Sequence, residues 1–312
     1  MKKPNFFIIG AAKSGTSSLY HYVRQHPDVC LSIPKETWFF CFEDYYNGIE
    51  WYWNRYFGNH YKGESAIGEA SPWYLHMPYV AQRISETCPD AKLIAILRNP
   101  VDRAFSEWWM AFCAGVERLP FQEAIRENLQ RLETQREPME KTIEGARQWL
   151  IYRGQRQGKV TDISKRPRTY VENGYYAIQL ERYYKYFPKT RTKVFLFEDL
   201  LKNPLDVVRQ TWEFIGVDPN VPVDLKPHNV AAGRIGGYLL HLIRHRPITV
   251  KRFIPKSVKR RIVNLMKNLG EKPRIDTNTR RLLTEHYYEH NVRLAEMLER
   301  DLSAWLGRAN ER

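Results

Sequence analysis

Three stretches of this chain share one plan: a short apolar run, a polar loop, then apolar residues recurring at helical spacing. The first run is Phe6 to Ile9, after which Leu19, Tyr22 and Val23 repeat until Pro27 stops the pattern. The second is Lys92 to Leu97, followed beyond Arg98-Asn99-Pro100 by Val101, Phe105, Trp108 and Phe112. The third is Lys193 to Phe197, and a helix from about Pro204 then sets Leu205, Val208, Trp212 and Ile215 on one face before ending near Gly216. Strands alternating with helices predict an α/β fold whose central parallel sheet is covered on both sides. Ligands of such sheets bind at the carboxyl ends of the strands, where the polar loops after Ile9 and Leu97 sit.

The rest of the chain is less regular. Leu283, Tyr287, Asn291, Leu294, Leu298, Leu302 and Trp305 recur at helical spacing behind Asp276 or Thr277 as N-cap, which predicts a packing helix. Gly115 to Arg168 is rich in Glu, Gln, Arg and Lys, with a helix at Phe121 to Leu132, and reads as an insertion over the active-site face. Between Trp38 and Phe57 eleven of twenty residues are aromatic, too many for one buried face. Some belong to a core, and an exposed few suit the stacking of sugar rings. No repeat of solenoid type is visible.

Composition narrows the class. With 312 residues, 43% hydrophobic and 27% charged, the chain is globular and is expected to form a single domain, residues 1–312. Cys30, Cys41, Cys88 and Cys113 form no C-x-x-C pair and have no histidine cluster beside them, so free buried thiols and no metal site are expected. The first strand begins at about Asn5 and no apolar run reaches about 18 residues, which predicts neither signal peptide nor membrane span and so a cytoplasmic protein. The net charge of +14 is concentrated in a basic helical segment, residues 226–270, where no acidic residue stands between Asp224 and Glu271. Such a segment faces an anionic acceptor or a membrane surface, or is only a solvated basic helix; nucleic acid is not the expected partner.

The chemistry begins in the loop after the first run, Gly10-Ala-Ala-Lys13-Ser14-Gly15-Thr16-Ser17-Ser18. A glycine-bearing loop opening a helix aims backbone N–H groups and the positive helix end at an anion, and Lys13 adds a full charge. The nucleotide-hydrolase loop requires lysine after its second glycine, whereas Lys13 precedes Gly15. An ordinary strand-to-helix turn with a solvated lysine is the plain alternative. In the second unit Arg98 ends a strand and Ser106 lies eight residues on, a pairing suited to a second phosphate.

The order K-S-G-T-S-S resembles the 5′-phosphosulfate loop of sulfotransferases that use 3′-phosphoadenosine 5′-phosphosulfate (PAPS). Arg98, Pro100, Arg103 and Ser106 resemble the 3′-phosphate motif R-x-P-x-x-R-x-x-S of the same family. Ile33-Pro34-Lys35-Glu36-Thr37-Trp38-Phe39-Phe40 is similar to the segment that carries the catalytic glutamate in heparan sulfate glucosaminyl sulfotransferases, the carbohydrate branch, here as a bacterial-type single-domain form. The resemblance implies a P-loop-like three-layer fold, PAPS as sulfuryl donor, 3′-phosphoadenosine 5′-phosphate (PAP) as product, and no metal. It assigns Glu36 as general base and Lys13 to the leaving phosphate. Ser14, Gly15, Thr16, Ser17 and Ser18 fall in the nucleotide loop, Arg98 and Ser106 at the 3′-phosphate, Tyr176 beside the nucleotide, and Arg234 in a basic closing loop. The implied acceptor is a saccharide hydroxyl or amine, with a lipid or small metabolite suiting the same machinery. Gly68 to Tyr74 is similar to the family's E-K-[ST]-P-x-Y, but Ala70 stands at the lysine position, which leaves Lys35 as a substitute cation. A nucleotide kinase, with Glu69 as the best carboxylate for a metal, and a non-enzymatic polyanion binder are the alternatives.

Overall fold

The structure is a computed structural model that describes residues 2–134, 144–145, 147–148, 168–226, 236 and 273–307. By proximity along the backbone they fall into two compact units, one within Met1–Arg103, Tyr175–Asn229 and Tyr287–Arg312, the other within Ala104–Gly174 and Val230–His286.

The first unit holds a five-stranded parallel sheet: β1 (Phe6–Gly10), β2 (Val29–Leu31), β3 (Ala66–Ala70), β4 (Lys92–Leu97) and β5 (Thr192–Leu196), in the order β2-β3-β1-β4-β5. The central strand β1 is buried throughout, as expected of a parallel strand covered on both faces. Its side chains alternate. Phe6 and Ile8 enter a cluster with Leu19 and Val23 of helix α1 (Thr16–Val23) and Val208 and Trp212 of a later helix, Pro204–Ile215. Phe7 faces the other way, edge-on to Phe40 at 5.6 Å, and Phe40 in turn meets Tyr52 and Tyr74. The aromatic run is thus mainly the second core. Trp38, Phe39, Phe40, Phe42, Tyr52 and Phe57 are buried, whereas Tyr46 is 76% exposed.

Helix α2 (Gly48–Tyr56) supplies Tyr52, and α3 (Val80–Thr87) buries Val80, Ala81 and Ile84. Helix α4 (Pro100–Cys113) follows β4 as the apolar spacing predicts, and α5 (Phe121–Thr134) opens at the predicted residue. In the second unit Phe105, Trp108, Phe112 and Phe121 form a ring cluster. There Arg168 donates to both oxygens of buried Glu117, tying together the two ends of the segment read as an insertion. Burial alone pushes the Glu117 carboxyl up, yet the Arg168 guanidinium, the Leu119 N–H and the Tyr170 hydroxyl together bring it below the usual range. Most of that segment's middle, and nearly all of the basic segment, lie outside the described residues.

Helix α6 (Tyr176–Tyr184) precedes β5, and α7 (Phe197–Lys202) and α8 (Pro204–Ile215) follow it. The third apolar run therefore ends one residue earlier than its hydrophobicity suggests. The Asp199 carboxylate accepts from the Leu196 N–H at 2.9 Å, which caps a helix and turns Phe197 into its first residue. Helix α9 (Thr277–Leu298) starts behind Asp276, whose Oδ1 accepts from the Thr279 N–H at 2.9 Å. The backbone turns left-handed at Glu299, φ 52°, so Leu302 and Trp305 belong to the region of a separate short helix, α10 (Ser303–Leu306).

β2 and β3 were not legible as apolar runs. β3 places Gly68 beside Phe6 in register, and a Cβ there would stand 2.5 Å from the Phe6 ring. Gly68→Ala is therefore expected to lower the unfolding free energy by about 1–3 kcal/mol in urea denaturation. Phe6→Leu in the same chain is expected to recover part of that loss.

Candidate active site

β1 delivers the chain to a tight loop at the carboxyl edge of the sheet. Lys13 (φ 70°) and Gly15 (φ 93°) are left-handed there, and Gly15 is the N-cap of α1 with no side-chain cap, so the first-turn N–H groups face out of the helix start. A Cβ on Gly15 would meet Leu200 Cδ2 at 2.8 Å and Phe197 Cδ2 at 3.0 Å, so glycine is required by space as well as by φ. Lys13, Ser17 and Ser18 are half-buried, whereas Ser14 and Thr16 are buried. The Ser14 N–H already donates to the Ala11 carbonyl at 3.2 Å. Of the loop's N–H groups that of Ser14 is thus already engaged, while those of residues 16–18 open the helix.

Arg98 follows β4 directly, on the strand next to β1. Its Nη1 donates to the Lys13 carbonyl at 3.2 Å, and its guanidinium carbon lies 4.9 Å above the centre of the Phe197 ring. Burial pulls its pKa below the usual guanidinium value. Tyr176 donates its hydroxyl to the Arg98 carbonyl at 2.9 Å and is only 1% exposed; burial pushes its phenol up to about 12. Tyr176 thus ties α6 to the end of β4. Ser106 is half-buried on α4 and belongs to the second unit, and Arg234 lies outside the described residues. Arg103, the motif's other arginine, is fully buried.

Glu36 follows β2. Its Oε1 pairs with Lys35 Nζ at 3.0 Å, and the two side chains keep 27% and 16% of their exposure. The segment is pinned to the end of β3: the Ala70 N–H donates to the Lys35 carbonyl at 3.4 Å, and the Thr37 N–H to Ser71 Oγ at 3.2 Å. Lys35 and Ala70 are therefore neighbours.

Beneath Glu36 lies a carboxylate whose role sequence reasoning missed. Glu69 is fully buried, and its Oε2 accepts from the Thr37 hydroxyl and from Tyr52 at 2.6 Å. The Tyr74 hydroxyl is 3.1 Å from Thr37 Oγ1. Burial raises the Glu69 pKa from 4.5 to about 7, although Thr37, Tyr52, Tyr74 and Ser71 all favour its charged form. Among the described residues no group of three or more His, Cys, Asp or Glu is arranged to hold a metal ion.

The raised pKa fixes the sign of a pH effect. The folded chain binds the Glu69 proton more tightly than the unfolded chain, so its stabilising contribution is full below about 4.5 and is lost as pH rises to about 7, by on the order of 3 kcal/mol. Glu69→Gln removes this dependence. Urea denaturation at pH 5 and pH 7.5 is expected to show the variant gaining on wild type by roughly 1–3 kcal/mol at the higher pH; parallel profiles would contradict it.

Residues 3–228 match the sulfotransferase domain family. Among curated proteins, the membrane-associated sulfotransferase kil1 of Dictyostelium discoideum is 26% identical, covering 86% of this chain and 64% of its own length. The bifunctional heparan sulfate N-deacetylase/N-sulfotransferase 4 of Mus musculus is 25% identical over 97% of the chain, which spans only 31% of that protein. A solved sulfotransferase from Alicyclobacillus acidocaldarius superposes with a TM-score of 0.67 at 28% identity, covering 98% of this chain and 99% of that one. The expected cytoplasmic location is corrected by the first relative, which is membrane-associated by name. Among the described residues no helix is long and apolar enough to cross a membrane, and no location follows from that. The four cysteines are free and buried, as their spacing predicts. The family match runs from before β1 to beyond α8, and a solved sulfotransferase shares the fold almost from end to end: this chain belongs to the sulfotransferase family.

Proposed function

We propose that this enzyme moves the sulfuryl group of PAPS to a saccharide hydroxyl or amine, with Glu36 as general base and Lys13 at the leaving phosphate. The observation that supports the reading best is the Arg98 to Lys13 hydrogen bond, which joins the loops after two adjacent strands, each suited by its chemistry to an anion. A donor with phosphate on both its 5′ and 3′ sides matches that pair. The 5′-phosphate lies on Lys13 and the N–H groups of α1, and the 3′-phosphate on Arg98.

In the transfer, an acceptor oxygen or nitrogen forms a bond to sulfur as the bond from sulfur to the 5′-phosphate oxygen breaks, releasing PAP. The proton lost by the acceptor passes to the Glu36 carboxylate. Negative charge grows on the departing phosphate, where Lys13 and the α1 N–H groups are positioned in advance to receive it. Glu36 is paired with Lys35 at rest, so proton uptake goes with opening of that pair. Lys35, beside Ala70, then supplies the cation that the family motif carries at the Ala70 position. Heparan sulfate N-sulfotransferases among the relatives support a saccharide acceptor.

The test is PAP release from PAPS with a panel of acceptors led by N-unsubstituted heparosan oligosaccharides. Lys13→Ala is expected to abolish turnover. Glu36→Gln is expected to lower kcat by about 10²–10⁴-fold with PAP affinity unchanged, and undiminished turnover in that variant would remove Glu36 as the base. Turnover of lipid or small-metabolite acceptors alone would overturn the saccharide assignment.

A further inference from the structure

We propose that Phe197 is a positioning residue for the donor site: its ring face carries the Arg98 guanidinium while its edge sets the Gly15 turn, so one side chain fixes the spacing of the two phosphate-holding elements. The proposal rests on the reading of Arg98 as the 3′-phosphate ligand.

Two contacts meet on this ring. Phe197 Cδ2 would stand 3.0 Å from a Cβ at Gly15, so the ring edge lies directly against the backbone of the loop. The Arg98 guanidinium lies 4.9 Å from the ring centre, within the range of an electrostatic attraction between a cation and a π face. Among the described residues Arg98 makes no ion pair within salt-bridge distance; Asp102 and Glu198 act on it only as more distant charges. Among the described residues its guanidinium is held by the Phe197 face and the Lys13 carbonyl, an arrangement that orients it and leaves N–H donors for an incoming anion. A carboxylate in the place of the ring would orient the arginine equally well but would compete with phosphate. An aromatic face does not.

The ring is itself held from behind. Phe197 opens α7, whose Asp199 caps the Leu196 N–H and accepts two bonds from Arg300, at 3.0 and 3.1 Å. The Trp305 Nε1 donates to Glu198 at 3.2 Å. Leu200, one turn on, presses on the same side of Gly15. The segment just past α9 thereby locks the helix that presents Phe197, which gives the chain's last described elements a part in the donor site.

Calorimetric binding of PAP and of ADP, which lacks the 3′-phosphate, separates positioning from plain structural support. Phe197→Leu and Phe197→Met keep apolar bulk against Gly15 and remove the π face. Each is expected to weaken PAP by roughly 3- to 30-fold with ADP affinity held within about 2-fold, and Phe197→Tyr to restore PAP affinity. Unchanged PAP binding in whichever of the Leu and Met variants folds, or equal losses for PAP and ADP, would overturn the proposal. A wild type that binds ADP as tightly as PAP would instead sink the reading of Arg98 on which it rests.

Discussion

One guanidinium joins the carboxyl ends of two neighbouring strands. Arg98 leaves β4, donates to the Lys13 carbonyl in the loop after β1, and rests on a ring supplied by the helix after β5. The parallel sheet makes this possible, because strands running the same way deliver their loops to one edge. Every other feature of the donor site depends on keeping that edge in register. Gly15 is glycine because the Phe197 and Leu200 side chains leave no room for a Cβ. Tyr176 is buried with its hydroxyl on the Arg98 carbonyl. Among the described residues no carboxylate comes within salt-bridge distance of the cation at the centre, which suits the anionic ligand we propose for it.

Two carboxylates on the acceptor side divide structure from chemistry. Glu36 keeps some exposure and is paired with a lysine, as suits the base we propose. Glu69 is sealed below it among hydroxyls, and its partner Thr37 is the residue after Glu36. A buried carboxyl surrounded by hydroxyls orders the segment through hydrogen bonds from residues on separate elements. Burying that carboxyl weakens the fold above acid pH, and the network it organises sets the backbone that carries Glu36.

How much of this was readable from sequence follows from where each signal lives. β1 and β4 announced themselves because strands covered on both faces are continuously apolar. β3 did not, since Gly68 makes room for the Phe6 ring and Glu69 is tolerated only through Thr37 and Tyr52 on other segments. Phe197 reads as a last strand residue by hydrophobicity, and only the Asp199 cap reveals it as the first of a helix. The placement of Lys13, Gly15 and Arg98 at strand ends was visible because each follows closely on a legible apolar run. The hydrogen bonds of Tyr176 to Arg98 and of Glu69 to Thr37 and Tyr52 were hidden because they join distant segments. The density of aromatics from Trp38 to Phe57 pointed to a core with an exposed few, and most of those rings do pack on the far face of the sheet.

The most direct test of the account is a crystal structure with PAP bound. The account predicts the 5′-phosphate within hydrogen-bond distance of the Lys13 ammonium and the N–H groups of residues 16–18, with the 3′-phosphate against the Arg98 guanidinium on its side away from Phe197. Ordered PAP with its 3′-phosphate remote from Arg98, or seated away from the carboxyl ends of β1 and β4, would contradict it.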